Sequence, residues 1–117
     1  MKWEEVLQRD DIIGGELETQ EAGSLYRGPI GEIKLEGGTV YITSPWMAKM
    51  SKTGWKAWDK TSCSVGADCE PKDIGSGRLW FNMPMLGFGV IYPKGGSRLD
   101  PDRVEGLNLL TQNSETT

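Results

Sequence analysis

Sixteen glycines and six prolines fall within 117 residues, and this load does more than any other feature to limit the fold. In a helix interior glycine costs about 1 kcal/mol against alanine, and proline about 3 kcal/mol. A helical bundle does not tolerate so many of either. A protein of short strands and tight turns does, because glycine supplies turn conformations that other residues resist and proline ends regular structure. The expected class is therefore mainly β: a small, curved antiparallel sheet or partly closed barrel of five or six strands. In size it is SH3-like or OB-like, with short terminal helices.

Length permits one such domain with its own core, expected over residues 1–110, and residues 111–117 read as a polar tail. Hydrophobic residues make up 37% and charged residues 26%, the balance of a globular chain rather than a disordered one. No apolar run approaches the roughly 20 residues a membrane-crossing helix needs. Met1–Asp10 has no apolar stretch of the signal-peptide kind. The expected address is cytoplasmic, with no membrane partner.

Trp3, Val6 and Leu7 lie at helical spacing, with Glu4 and Glu5 in the first turn, so Lys2–Arg9 reads as a short helix. Leu25–Arg27 and Ile30–Leu35 read as strand, broken by Gly28-Pro29. Alternation in Gly31–Leu35 turns Ile33 and Leu35 inward, and Val40 and Ile42 answer from Thr39–Thr43. Between them Gly37-Gly38 provides a two-residue hairpin turn. Ser44-Pro45 resembles a helix cap with proline at the first helical position, which predicts a helix over Pro45–Thr53; extension of the preceding strand through Ser44 competes with it. Trp55–Val65 is expected as one strand and Gly66–Gly77 as a polar connection. Arg78–Met83 and Gly87–Tyr92 complete the strands, the former with Leu79 and Phe81 inward and Trp80 outward. Asp100-Pro101 opens at most two turns of helix, ending near Gly106, and Asn108–Thr117 is expected to fray.

Net charge is −4, unevenly placed. Residues 1–38 carry four bases and nine acids, and residues 61–117 five bases and seven acids. Residues 39–60 reverse the sign, with four bases and one acid. Three of the five tryptophans (Trp46, Trp55, Trp58) and four lysines (Lys49, Lys52, Lys56, Lys60) fall there. Aromatic faces stack on bases or sugars and lysines hold phosphates, so this segment is the candidate binding surface. Trp46 and Trp55 are expected in the core. Trp58 shares an alternation face with Lys56 and Lys60, and Trp80 with Arg78. The candidate ligand-binding residues are therefore Lys56, Trp58, Lys60, Arg78 and Trp80.

Single-residue chemistry narrows the rest. There is no histidine, which removes the commonest general base, Ser-His or Cys-His nucleophile pairs and the commonest metal ligand. Cys63 and Cys69, five residues apart, lack the partners of a zinc site and are expected as free thiols. Asp10, Asp11, Glu16, Glu18 and Glu21 read as a solvated acidic face. Lys94-Gly95-Gly96-Ser97-Arg98 offers two bases around a glycine loop that could wrap an anion, though a plain turn explains it as well. No catalytic residue, metal or cofactor is assigned.

Three functions follow from these residues. The first is a non-catalytic binding module that holds single-stranded nucleic acid or another anionic polymer on a Trp/Lys face. The second is a protein-interaction or homo-oligomeric assembly module, because tryptophan is favoured at interface hot spots. The third is a histidine-free enzyme working through carboxylates.

Overall fold

A computed structural model describes residues 1–96 and 98–107. The expected tail at 111–117, the fraying expected from Asn108 onward and the Ser97 position of the glycine loop lie outside the described residues.

Helix α1 (Trp3–Leu7) precedes ten strands: β1 (Glu16–Glu21), β2 (Ser24–Pro29), β3 (Glu32–Glu36), β4 (Thr39–Thr43), β5 (Met47–Ser51), β6 (Gly54–Trp58), β7 (Ser62–Gly66), β8 (Lys72–Gly75), β9 (Arg78–Met83) and β10 (Gly87–Tyr92). A 3₁₀ turn follows at Pro101–Arg103. The protein is mainly β, small and antiparallel. The strands form two open sheets, one of seven strands in the order β6-β5-β2-β1-β10-β9-β8 and one of three in the order β3-β4-β7.

The hairpin foreseen at Gly37-Gly38 forms between β3 and β4. Both glycines have positive φ, 58° and 79°, and the register pairs Leu35 with Val40 and Ile33 with Ile42. Val40 and Ile42 are buried, with Ile33 and Leu35 packed against the same core.

Direct partners in an antiparallel pair share a face, so the register sorts the large sheet into two sides. One side carries Leu17, Leu79, Phe81, Met83, Ile91 and Met47, and packs against Val40, Ile42, Cys63 and Val65 of the small sheet and against Trp3 and Val6 of α1. Trp3 meets the Phe81 ring edge-on at 5.3 Å and donates its indole N–H to the Cys69 carbonyl at 2.9 Å. The other side carries Glu16, Glu18, Arg27, Tyr92, Trp80, Phe88, Ala48 and Ala57. At one end it is covered by the segment after β10: Leu99, Val104 and Leu107 bury against Ala48, with Trp46, Trp55 and Ala57 packed around them.

That covering segment also closes a sheet edge. The Ala57 N–H donates to the Glu105 carbonyl at 2.7 Å, and the Glu105 N–H donates to the Trp55 carbonyl at 3.0 Å. The outer edge of β6 is therefore occupied, which removes a template for pairing with another chain.

Several expectations are corrected. The helix over Pro45–Thr53 is absent: Met47–Ser51 is strand β5, held between β2 (Tyr26 opposite Lys49) and β6 (Met50 opposite Trp55). The Ser44 hydroxyl, read as a cap, donates to the Trp46 carbonyl instead. Trp55–Val65 is two strands in different sheets, β6 and β7, separated at Asp59-Lys60-Thr61. Gly66–Gly77 is not only a connection, since it contains β8. The acidic stretch Glu16–Glu21 is a central strand with Leu17 and Thr19 sealed inside. Ten strands stand where five or six were expected because pairing across the chain, not local propensity, decides which short segments become strands.

Candidate functional site

The small sheet covers only part of the inner side of the large one. Beyond its rim, the outer end of that same side carries Tyr26 (β2), Lys49 (β5), and Lys56 and Trp58 (β6). Lys49 sits directly opposite both Tyr26 and Lys56, and Trp58 lies opposite Met47, so neighbouring strands bring all four side chains together. Trp58 is 40% exposed, Lys56 is exposed, and Tyr26 and Lys49 are half-buried.

Here the lysines sit over aromatic rings. The Lys49 ammonium stands 4.5 Å from the centroid of the Trp58 ring and 6.0 Å from that of Tyr26. The two rings are 6.5 Å apart and tilted by 50°. Lys60 follows the end of β6, yet its ammonium reaches back to 5.9 Å from Tyr26. It also pairs with Glu21 at 3.3 Å and donates to the Ser62 carbonyl at 3.1 Å. Glu21 in turn accepts the Thr19 hydroxyl at 2.9 Å. With three lysines and one carboxylate, the ledge keeps two positive charges in a protein of net charge −4. Cation–aromatic contacts of this kind are worth about 0.5–1 kcal/mol each at exposed sites, enough to hold the rings and ammonium groups in place without burying them.

Of the five candidate residues, Lys56, Trp58 and Lys60 come together on this ledge. Arg78 and Trp80 do not: they lie on β9, on the opposite side of the large sheet. The Arg78 guanidinium folds back onto its own turn, donating to the carbonyls of Gly75 at 3.0 Å and Ile74 at 3.4 Å. Trp80 is half-buried, stacks on Phe88 at 6.1 Å and has the Lys72 ammonium 5.9 Å from its ring. Trp46 and Trp55, expected inside, are half-buried beneath the covering segment.

Sequence reasoning misses Tyr26 and Lys49 as site residues. Lys49 was visible as part of the basic run, but a helical reading of Pro45–Thr53 separates it from the face that β6 presents. Tyr26 joins only through the pairing of β2 with β5, which no local pattern encodes.

Other chemistry near the ledge is quiet. Cys63 faces the core, and burial pushes its thiol from an ordinary value near 9 up to about 12, with nearby Lys60 opposing and Glu21 adding to the shift. Cys63 and Cys69 are both free. Glu16 and Glu18 both pair with Arg27, and Glu16 is sealed at 2% exposure. Among the described residues no group of three or more acids or cysteines is placed to hold a metal ion. Among the described residues no helix is long and apolar enough to cross a membrane.

Comparison with protein-family models, with curated proteins and with solved structures finds no match.

Proposed function

We propose that the protein is a non-catalytic binding module that holds single-stranded nucleic acid, or another anionic polymer of similar charge spacing, on the ledge formed by Tyr26, Lys49, Lys56, Trp58 and Lys60. The observation that carries this reading is the Lys49 ammonium 4.5 Å from the exposed Trp58 ring, with Tyr26 beside it and Lys56 directly opposite. Stacking platforms for single strands combine aromatic faces with cations that follow the backbone. The acidic remainder of the molecule repels a polyanion at long range, which favours short single strands over extended duplex contact. A cytoplasmic setting, in which Cys63 and Cys69 remain reduced, belongs to this reading.

A separate observation favours the protein-interaction reading. In the turn between β9 and β10, Met85 is fully exposed and Leu86 is half exposed. Leu86 lines a cleft of about 290 Å³ with Tyr41, Glu21, Lys60 and Ser64. Exposed methionine and tyrosine suit a protein partner or a second copy. The enzyme reading draws less support, because Glu16 has its oxygens on Arg27 and on a backbone N–H.

Fluorescence anisotropy of a labelled oligothymidylate tests the first reading. Binding at low salt, lost in Trp58→Ala, supports it; no binding at low salt ends it. The mass in solution tests the second: a dimer or larger species that becomes monomeric in Leu86→Ser supports assembly.

A further inference from the structure

A second cleft, on the opposite side of β6 from the ledge, has a different character. Its volume is about 430 Å³, and it is lined by Arg27, Trp55, Arg98, Leu99, Asp100 and Arg103. Three arginines and one tryptophan thus line one cleft. The geometry points to a site for a nucleoside phosphate, in which Arg98 and Arg103 hold the phosphate and Trp55 carries the planar base.

The charges in this cleft divide into spent and available. Arg27 is held by Glu16 and by Glu18, and its guanidinium lies 4.6 Å from the Tyr92 ring, so it forms a fixed wall. Asp100 is engaged as a cap, accepting the Asp102 N–H at 3.0 Å. Arg98 and Arg103 are exposed, and among the described residues neither has a carboxylate partner. The Asp100 carboxylate at the same rim keeps its negative charge, so Arg98, Arg103 and Asp100 together leave one net positive charge to attract an anion, and the planar fork of arginine matches phosphate oxygens better than a lysine ammonium does. Trp55 packs against the Leu99, Val104 and Leu107 cluster, which fixes its ring at the cleft wall. Base–aromatic stacking then needs no ordering of the indole. The cleft falls within the roughly 300–1,000 Å³ typical of small-ligand sites.

The site exists only because two distant parts of the chain meet. Arg27 and Trp55 come from β2 and β6, while Arg98 and Arg103 come from the segment after β10. The Leu99 N–H on Glu16, next to Arg98, and the Glu105 pairing with β6, beyond Arg103, hold that segment in place. Trp55 and Trp58 point to opposite sides of β6, so this site and the ledge are separate.

Calorimetric titration with adenosine 5′-monophosphate, adenosine and inorganic phosphate tests the assignment. The mononucleotide is expected to bind, about tenfold tighter than inorganic phosphate through the Trp55 stack. Adenosine is expected to show no heat. Arg98→Ala and Arg103→Ala, both exposed and expected to fold as the parent, should each weaken binding about tenfold, the worth of a charge-assisted pair. In the Trp58→Ala background, which removes strand binding at the ledge, oligonucleotides with and without a 5′-phosphate separate the sources. Binding of the mononucleotide marks a free nucleoside phosphate, and binding confined to the 5′-phosphorylated strand marks a strand end; either supports the site. Unchanged binding in Trp58→Ala keeps it distinct from the ledge. The assignment is overturned if neither phosphate-bearing probe binds at millimolar concentration, if Arg98→Ala/Arg103→Ala binds as the parent does, if inorganic phosphate binds as tightly as the mononucleotide, or if Trp58→Ala abolishes binding.

Discussion

The Leu99 backbone N–H lies 2.9 Å from each of the two carboxylate oxygens of Glu16, joining the segment after β10 to the central strand β1. The same carboxylate pairs with Arg27, and this buried group is the polar anchor of the covering segment. Removing Glu16 leaves the Leu99 N–H without its acceptor and Arg27 with the carboxylate of Glu18, at 3.7 Å. Glu16→Ala is therefore expected to cost about 1–3 kcal/mol in urea unfolding, the range for leaving a buried donor unsatisfied. Glu16→Gln, which keeps an acceptor for Leu99, is expected to cost less. A loss below about 0.5 kcal/mol in Glu16→Ala would show that the anchor carries no weight.

Gly89 lies beneath the Phe81 ring. The register pairs the two residues across β9 and β10, and a Cβ at Gly89 would collide with the ring. Gly89→Ala is expected to destabilise by about 1–3 kcal/mol, the usual penalty for overpacking. Adding Phe81→Leu should return part of that loss, since residues in contact do not act additively. Equal and additive losses in a thermal-melt cycle would contradict the proposed contact.

Cys63 makes stability depend on alkaline pH. Its folded-state value is raised to about 12 from an ordinary value near 9. The contribution is fully present below the unfolded-state value and is lost as pH rises from there toward the folded one, because the unfolded thiol ionises first. Between about pH 9 and 12 the unfolding free energy should fall by up to about 1.4 kcal/mol per pH unit from this group. Cys63→Ala should flatten that part of the profile. Alkylation under native conditions near pH 8 should modify Cys69, which is half-buried, well before Cys63; the reverse order would place Cys63 outside the core.

Salt dependence separates the lysines of the ledge from its rings. For a single strand the logarithmic slope of affinity against salt is about −0.7 per phosphate neutralised. Lys49→Gln should reduce the magnitude of that slope by about 0.7. Trp58→Ala should leave the slope nearly unchanged while weakening binding by about 1–3 kcal/mol. If Lys49→Gln leaves the slope untouched, the Lys49 ammonium does not meet a phosphate.

Much of the β-rich character was legible locally. The Gly37-Gly38 hairpin, the inward set Val40, Ile42, Leu79 and Phe81, and the bounds of Arg78–Met83 and Gly87–Tyr92 all follow from alternation and turn chemistry. Such signals act over a few residues, so the sequence carries them openly. What it did not carry was β1, whose acids mask a buried Leu17-x-Thr19 pattern, and β5, whose Ser44-Pro45 start reads as a helix cap.

The sequence by itself determined a glycine-broken antiparallel protein with a basic, tryptophan-rich stretch in an acidic chain. Tertiary structure alone decided which side of which sheet each tryptophan meets. It placed Trp58 with Tyr26 and Lys49, set Arg78 and Trp80 on the far side, and brought Arg98 and Arg103 to Trp55. The reason is that a strand's two-residue period fixes only which residues share a face, whereas strand order and the covering of each sheet depend on long-range pairing and burial.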